Sequence, residues 1–152
     1  MTEKTGTYIS ISYDSTVTNL IHKIYSKCKI PDLLSPDKLH TTLVYCDNKK
    51  ETVSGIESTL AGKYIQIINP RYELIGPDEC CLVIRFDSPV LASRHTELLA
   101  THSLFHGYPE FNSHITLSYS AKDYPIYELP KFPFDYLKVK SENVESLDDS
   151  WT

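Results

Sequence analysis

The feature that most constrains this chain is a tetrapeptide that occurs twice: His40-Thr41-Thr42-Leu43 and, 74 positions later, His114-Ile115-Thr116-Leu117. From the composition alone about 0.05 His-x-Thr-Leu strings are expected, so two copies point to a duplicated unit. Each copy reads as a β-strand, on which successive side chains alternate faces. His40 and Thr42 then share one face, with Leu39, Thr41, Leu43 and Tyr45 on the other. In the second copy His114, Thr116, Ser118 and Ser120 oppose Ile115, Leu117 and Tyr119. One face suits a core and the other a polar cleft.

The flanking chain repeats the same order. Tyr8 to Tyr13 alternates as a strand, and a helix follows from an Asp14 or Ser15 cap through Val17, Leu20, Ile21, Ile24 and Cys28, stopping before Pro31. The first histidine strand runs to Cys46; a short helix is predicted over 51–61, then strands over 64–68 and 72–75 separated by Asn69-Pro70. Cys80 to Phe86 is an apolar strand with Arg85 its one charge, and the helix opened by Ser88-Pro89 is predicted to reach Phe105. The second histidine strand follows, and strands over 134–140 and 143–147 close the chain. First strand and histidine are separated by 33 residues in one half (Thr7 to His40) and 34 in the other (Cys80 to His114). We therefore expect one domain over residues 1–152 with a duplicated, two-lobed, pseudo-symmetric α+β fold. Antiparallel sheets would line a central cleft, with helices packed outside and the histidine strands facing one another.

Composition narrows the function. With 152 residues, 41% of them hydrophobic, the chain can bury a real core. A net charge of −5 with three arginines opposes binding of long nucleic acid over a basic surface, while leaving room for a small anion in a locally positive cleft. Met1 to Gly6 lacks a basic and then apolar run, and no apolar stretch approaches membrane-spanning length, which reads as a cytosolic protein without a membrane partner. Cys28, Cys46, Cys80 and Cys81 form no C-x-x-C pair and read as buried reduced thiols. His102 and His106 lack a recognisable third ligand, so no metal is expected, and His22 and His95 read as helix-surface residues.

One His-x-Thr strand in each of two pseudo-symmetric halves resembles the two-histidine (2H) phosphoesterases, and the likeness covers essentially the whole chain in order and spacing. Within that family the chain is most similar to a phage branch, the anti-CBASS phosphodiesterases, which degrade the cyclic oligonucleotide signals of bacterial anti-phage immunity. Length, a lysine-rich and arginine-poor composition, and Glu145 and Trp151 six apart near the C-terminus carry that closer likeness. The RNA-processing relatives often carry arginine after the second motif, where this chain has Ser118-Tyr119-Ser120-Ala121. The resemblance implies a metal-independent phosphodiesterase that cuts 3′–5′ bonds of cyclic di- or trinucleotides. It would act without a cofactor, as a monomer, in the cytosol of an infected host. RNA with a 2′,3′-cyclic phosphate end is the runner-up substrate, and a non-catalytic module that sequesters nucleotides is the alternative of another class.

For such chemistry His40 and His114 supply acid and base, in an order the sequence leaves open, because imidazoles titrate near neutrality. Thr42 and Thr116, about 6.6 Å further along the same faces, offer hydroxyls to a phosphate oxygen. The nucleophile is the ribose 2′-hydroxyl or water. Tyr13, Tyr72 and Trp151 are the candidate stacking residues for bases, with Glu145 as acceptor for an adenine amino group.

Overall fold

The computed structural model describes residues 5–47, 52–105 and 110–147. In chain order these form β1 (Thr5–Tyr13), α1 (Ser15–Tyr25), β2 (His40–Cys46), β3 (Tyr64–Gln66), β4 (Ile68–Ile75), β5 (Cys81–Asp87), α2 (Pro89–His102), β6 (His114–Ser118) and β7 (Tyr136–Leu147), with single 3₁₀ turns between some of them. The strands make two antiparallel sheets, one ordered β2-β1-β7-β3 and the other β4-β5-β6. The pseudo-symmetry is explicit in this order: β2-β1-β7 matches β6-β5-β4, each with its histidine strand beside the strand that opens its half.

The apolar faces of both sheets meet in one buried cluster, to which the first sheet gives Ile9, Ile11, Leu43 and Val139 and the second Leu82, Ile84, Ile115 and Leu117. Local signals set the helix starts. The Asp14 carboxylate accepts from the Thr16 N–H at 2.9 Å, and Ser88 Oγ accepts from the Leu91 N–H at 3.2 Å, ahead of Pro89 in the first turn. α2 follows the second sheet's β5 but docks on the first sheet, where Arg94, 8% exposed, pairs at 2.9 Å with a Glu142 side chain only 2% exposed. Removing either partner of such a buried pair costs about 3–5 kcal/mol. α1, which follows β1, reaches the second sheet through the 2.5 Å contact of Tyr25 and Tyr72 hydroxyls.

Several expectations are corrected. No helix forms over the described part of 51–61; that segment is a strap whose polar groups are taken by other elements, Thr52 Oγ1 donating to Gly6 O and the Thr59 and Leu60 N–H groups to Glu142 Oε1. α1 ends at Tyr25, and α2 at His102, where Ser103 turns left-handed at φ 52. Asn69-Pro70 does not break a strand but lies inside β4 at a register shift, tolerated because β4 is an edge strand. The two predicted C-terminal strands are one, β7, which serves β3 with its first residues and β1 with its last. His95 is not on the surface: it is 8% exposed, its Nδ1–H donates to Leu43 O at 2.6 Å, and its ring stacks on Phe111 at 4.4 Å.

The two copies of the tetrapeptide share a bulge. Ser10 pairs with Thr42 and Ile9 with Val44, leaving Leu43 as the extra residue; Val83 pairs with Thr116 and Leu82 with Ser118, leaving Leu117 extra. Both leucines are fully buried. A bulge inverts the alternation beyond it. Tyr45, predicted on the core face, therefore stands opposite Tyr8 on the histidine face, and Ser118, predicted on the histidine face, is fully buried with its hydroxyl donating to Pro31 O.

Candidate active site

Register fixes which side chains accompany each histidine. His40 lies across from Ser12, which lies across from Ser141; Thr42 across from Ser10, and beyond it Asn143; Tyr8 across from Glu145. On the second sheet His114 lies across from Arg85 and Arg85 across from Arg71, while Thr116, Val83 and Glu73 form the next row. Directly paired residues share a face, so each histidine heads a row on its sheet. β2 and β6 are neighbours, tied through the preceding loop by Leu34 N–H donating to Leu117 O at 2.8 Å. His40 and His114 are close enough that the charge of the first depresses the basicity of the second.

The two imidazoles are oriented in the same way. His40 Nδ1 is 2.8 Å from Lys38 O and His114 Nδ1 is 3.0 Å from Asn112 O, in each case the carbonyl two residues before the histidine. A carbonyl only accepts, so Nδ1 carries the proton in both rings and the neutral form presents a bare Nε2. His40 Nε2 meets the Tyr8 hydroxyl at 2.9 Å, and that hydroxyl meets Thr42 Oγ1 at 2.6 Å. With neutral His40 the order of donation is Thr42 to Tyr8 to His40. With the imidazolium it reverses, because a phenol donates or accepts.

The environments differ. Burial is the largest cause holding the His114 imidazole below its usual range; the His40 and Arg85 charges push the same way, against the Asn112 carbonyl and Glu73. Arg85 donates to Glu73 Oε2 at 2.8 Å and to Asn112 Oδ1, so the residue whose carbonyl orients His114 is itself held by the neighbouring guanidinium. Around His40 the partners are hydroxyls: Ser12 Oγ lies 2.6 Å from Ser141 Oγ, which donates to Asn143 Oδ1 at 3.1 Å. Thr116 is 9% exposed.

The structure thus brings together His40, Thr42, His114 and Thr116, and separates Tyr13 and Tyr72, two of the four candidate base-binding residues, from them. Tyr13 is corrected: it is 3% exposed, on the core face, with its hydroxyl 2.5 Å from Thr41 Oγ1, and offers no ring face to a base. Tyr72 is corrected as well: it pairs with Ile84, on the face opposite His114, and its hydroxyl donates to Pro130 O. Glu145 is exposed on the His40 face, in register with Tyr8. Trp151 and His106 lie outside the described residues. Among the described residues no three His, Cys, Asp or Glu side chains converge as a metal site would require, and no helix is long and apolar enough to cross a membrane. Among the described residues the four cysteines form no disulfide, Cys46 being buried and the others half-buried.

Tyr8 is the residue that sequence reasoning missed. It occupies the same strand face as Ser10 and Ser12, opposite Ile9 and Ile11, so a large aromatic on the polar side was the available signal.

The family described as anti-CBASS protein Acb1 matches residues 5–152. The anti-CBASS protein Acb1 of Vibrio phage KVP40 is 26% identical over 149 residues, spanning 98% of this chain and 92% of that protein. Among solved structures, E. coli LigT complexed with phosphate superposes with a TM-score of 0.63 at 17% identity, covering 95% of this chain and 88% of LigT. A structure described as a phosphoesterase gives 0.61 at 16% identity with the same coverage. These structural likenesses establish a LigT-like 2H phosphoesterase fold.

Proposed function

The chain belongs to the anti-CBASS protein Acb1 family, and from that premise we propose that it is a metal-independent phosphodiesterase acting on cyclic di- or trinucleotide signals of host CBASS immunity. The observation that most supports this reading is the pair of imidazoles with identical tautomers and unequal surroundings. A phosphodiester cleavage without a metal needs one group that takes a proton and one that gives it, and ideal groups titrate near the working pH.

His114 is the base. Its depressed basicity leaves Nε2 unprotonated at neutral pH, ready to take the proton of the nucleophile. His40 is the acid, and the Tyr8 hydroxyl gives its Nε2 a partner in either protonation state. The ribose 2′-hydroxyl loses its proton to His114 and attacks phosphorus. The bond to the 5′ oxygen breaks, and His40 protonates that oxygen, leaving a 2′,3′-cyclic phosphate and a free 5′-hydroxyl. Thr42 and Thr116 donate to the non-bridging oxygens, where charge grows. Glu145, exposed beside Tyr8, is placed to accept from a base amino group.

The test is product analysis by mass spectrometry after incubation in EDTA with a panel of 3′,3′-cyclic di- and trinucleotides and an RNA 2′,3′-cyclic phosphate. Linear products from the cyclic panel are expected, with ends that report the nucleophile. Cleavage of only the RNA end would move the protein to RNA processing. Bound but unaltered ligand would make it a sponge, and activity lost in EDTA and restored by zinc would remove the metal-free mechanism.

A further inference from the structure

We infer that the cavity beside Arg85 and Arg71 is a second nucleotide subsite, which takes a non-scissile phosphate and its nucleoside from the cyclic oligonucleotide whose neighbouring linkage is cut. This rests on the proposed function and extends it to how the ring is held.

The cavity is about 280 Å³ and is lined by Arg71, Arg85, Phe86, Pro89, Phe111 and Asn112 among others. Whole-ligand pockets run to roughly 300–1,000 Å³, so this one suits a part of the substrate. Its position follows from register. His114, Arg85 and Arg71 are in one row, and adjacent strands are about 4.8 Å apart, which places the two arginine backbones roughly 5 and 10 Å from that of His114. A ligand with its scissile phosphate at His114 reaches this cavity with the next unit of the ring.

The chemistry of the lining fits an anion joined to a flat ring. Guanidinium presents five donors in a plane that matches two phosphate oxygens. Arg85 is held by Glu73 and Asn112, which fixes it beside His114. Arg71 spends only Nη1, on Asn69 O at 2.9 Å and Asp87 Oδ1 at 3.2 Å, so its Nε and Nη2 donors remain uncommitted among the described residues. Phe111, braced by the stacked ring of His95, supplies an aromatic wall on which a nucleobase can lie. The matching row of the first sheet, His40-Ser12-Ser141, carries no cation, so the second phosphate belongs on the His114 side.

Asp87 competes with a bound phosphate for Arg71, which gives two substitutions of opposite sign. Steady-state kinetics on a 3′,3′-cyclic dinucleotide are expected to show KM about tenfold higher in Arg71→Gln, one charge-assisted contact being worth roughly that factor. Arg71→Lys should be intermediate and Asp87→Asn should lower KM, with kcat within about twofold throughout. Arg71 and Asp87 are 35% and 56% exposed, so both variants are expected to fold. An unchanged KM in Arg71→Gln, a loss confined to kcat, or shifts of the same sign in Arg71→Gln and Asp87→Asn would overturn the subsite alone. A wild-type protein that opens no cyclic dinucleotide would overturn the parent reading, and the subsite with it.

Discussion

Two rows of side chains, three strands wide and related by the internal symmetry, share a backbone and differ in character. In the first sheet the row is His40-Ser12-Ser141; in the second it is His114-Arg85-Arg71. Both histidines stand at the same register, donate Nδ1–H to the carbonyl two residues back, and precede a bulged leucine at the fourth position of the motif. Hydroxyls surround one ring; burial and a guanidinium depress the basicity of the other. Duplication supplies two alike histidines, and divergence of the neighbours makes them unlike. The proposed assignment of base and acid rests on that difference in surroundings.

Breaking either row at its head should have the largest effect. His40→Ala and His114→Ala are each expected to lower kcat on a cyclic dinucleotide on the order of a thousandfold while retaining the fold, since both side chains face away from the core; single-turnover assays with circular dichroism check both parts. A variant near wild-type rate would remove that histidine from the reaction. Thr42→Val and Thr116→Val should follow, with losses of roughly a hundredfold in kcat if each hydroxyl donates to the developing charge. The Thr42 change also removes one of the partners of the Tyr8 hydroxyl.

Finer substitutions test the asymmetry. Tyr8→Phe removes the partner of His40 Nε2 and should cost about tenfold in kcat in the same single-turnover assay. The smallest effects concern His114. As base it must be neutral, so kcat/KM should fall only as pH drops through a value below the ordinary imidazole pKa of about 6.5. Arg85→Ser, which makes the second row resemble the first, removes a cation that lowers this value, and the acid limb should move up. Glu73→Gln removes an anion that raises it, and the limb should move down. Shifts in one direction for both would refute the account of His114.

Much of this was legible in the chain before any coordinates. The repeated His-x-Thr, the alternation of β1, the Asp14 and Ser88-Pro89 helix starts and the apolar run of β5 are local, and local physics decided them. What failed depended on a partner strand or helix. Unbroken alternation puts Tyr45 and Ser118 on the wrong faces, because the bulge at each leucine exists only relative to the strand across from it. His95 reads from the sequence as a surface residue, but α2 presents it to β2. Tyr13 and Tyr72 have aromatic rings suited to stacking on a base, but strand pairing turns both toward the core.

The sequence by itself determined that there are two histidine strands, which residues have the chemistry for proton transfer, and where most elements begin. The tertiary structure decided the rest: that Tyr8 joins His40 to Thr42, that Arg85 rather than a serine stands beside His114, and that α2 docks on the first sheet. The physical reason is the range of each interaction. Alternation and capping act over a few residues and are written in the order of the chain, whereas the neighbour across a sheet is set by register between strands dozens of residues apart. The difference in environment between two identical motifs comes from those distant neighbours.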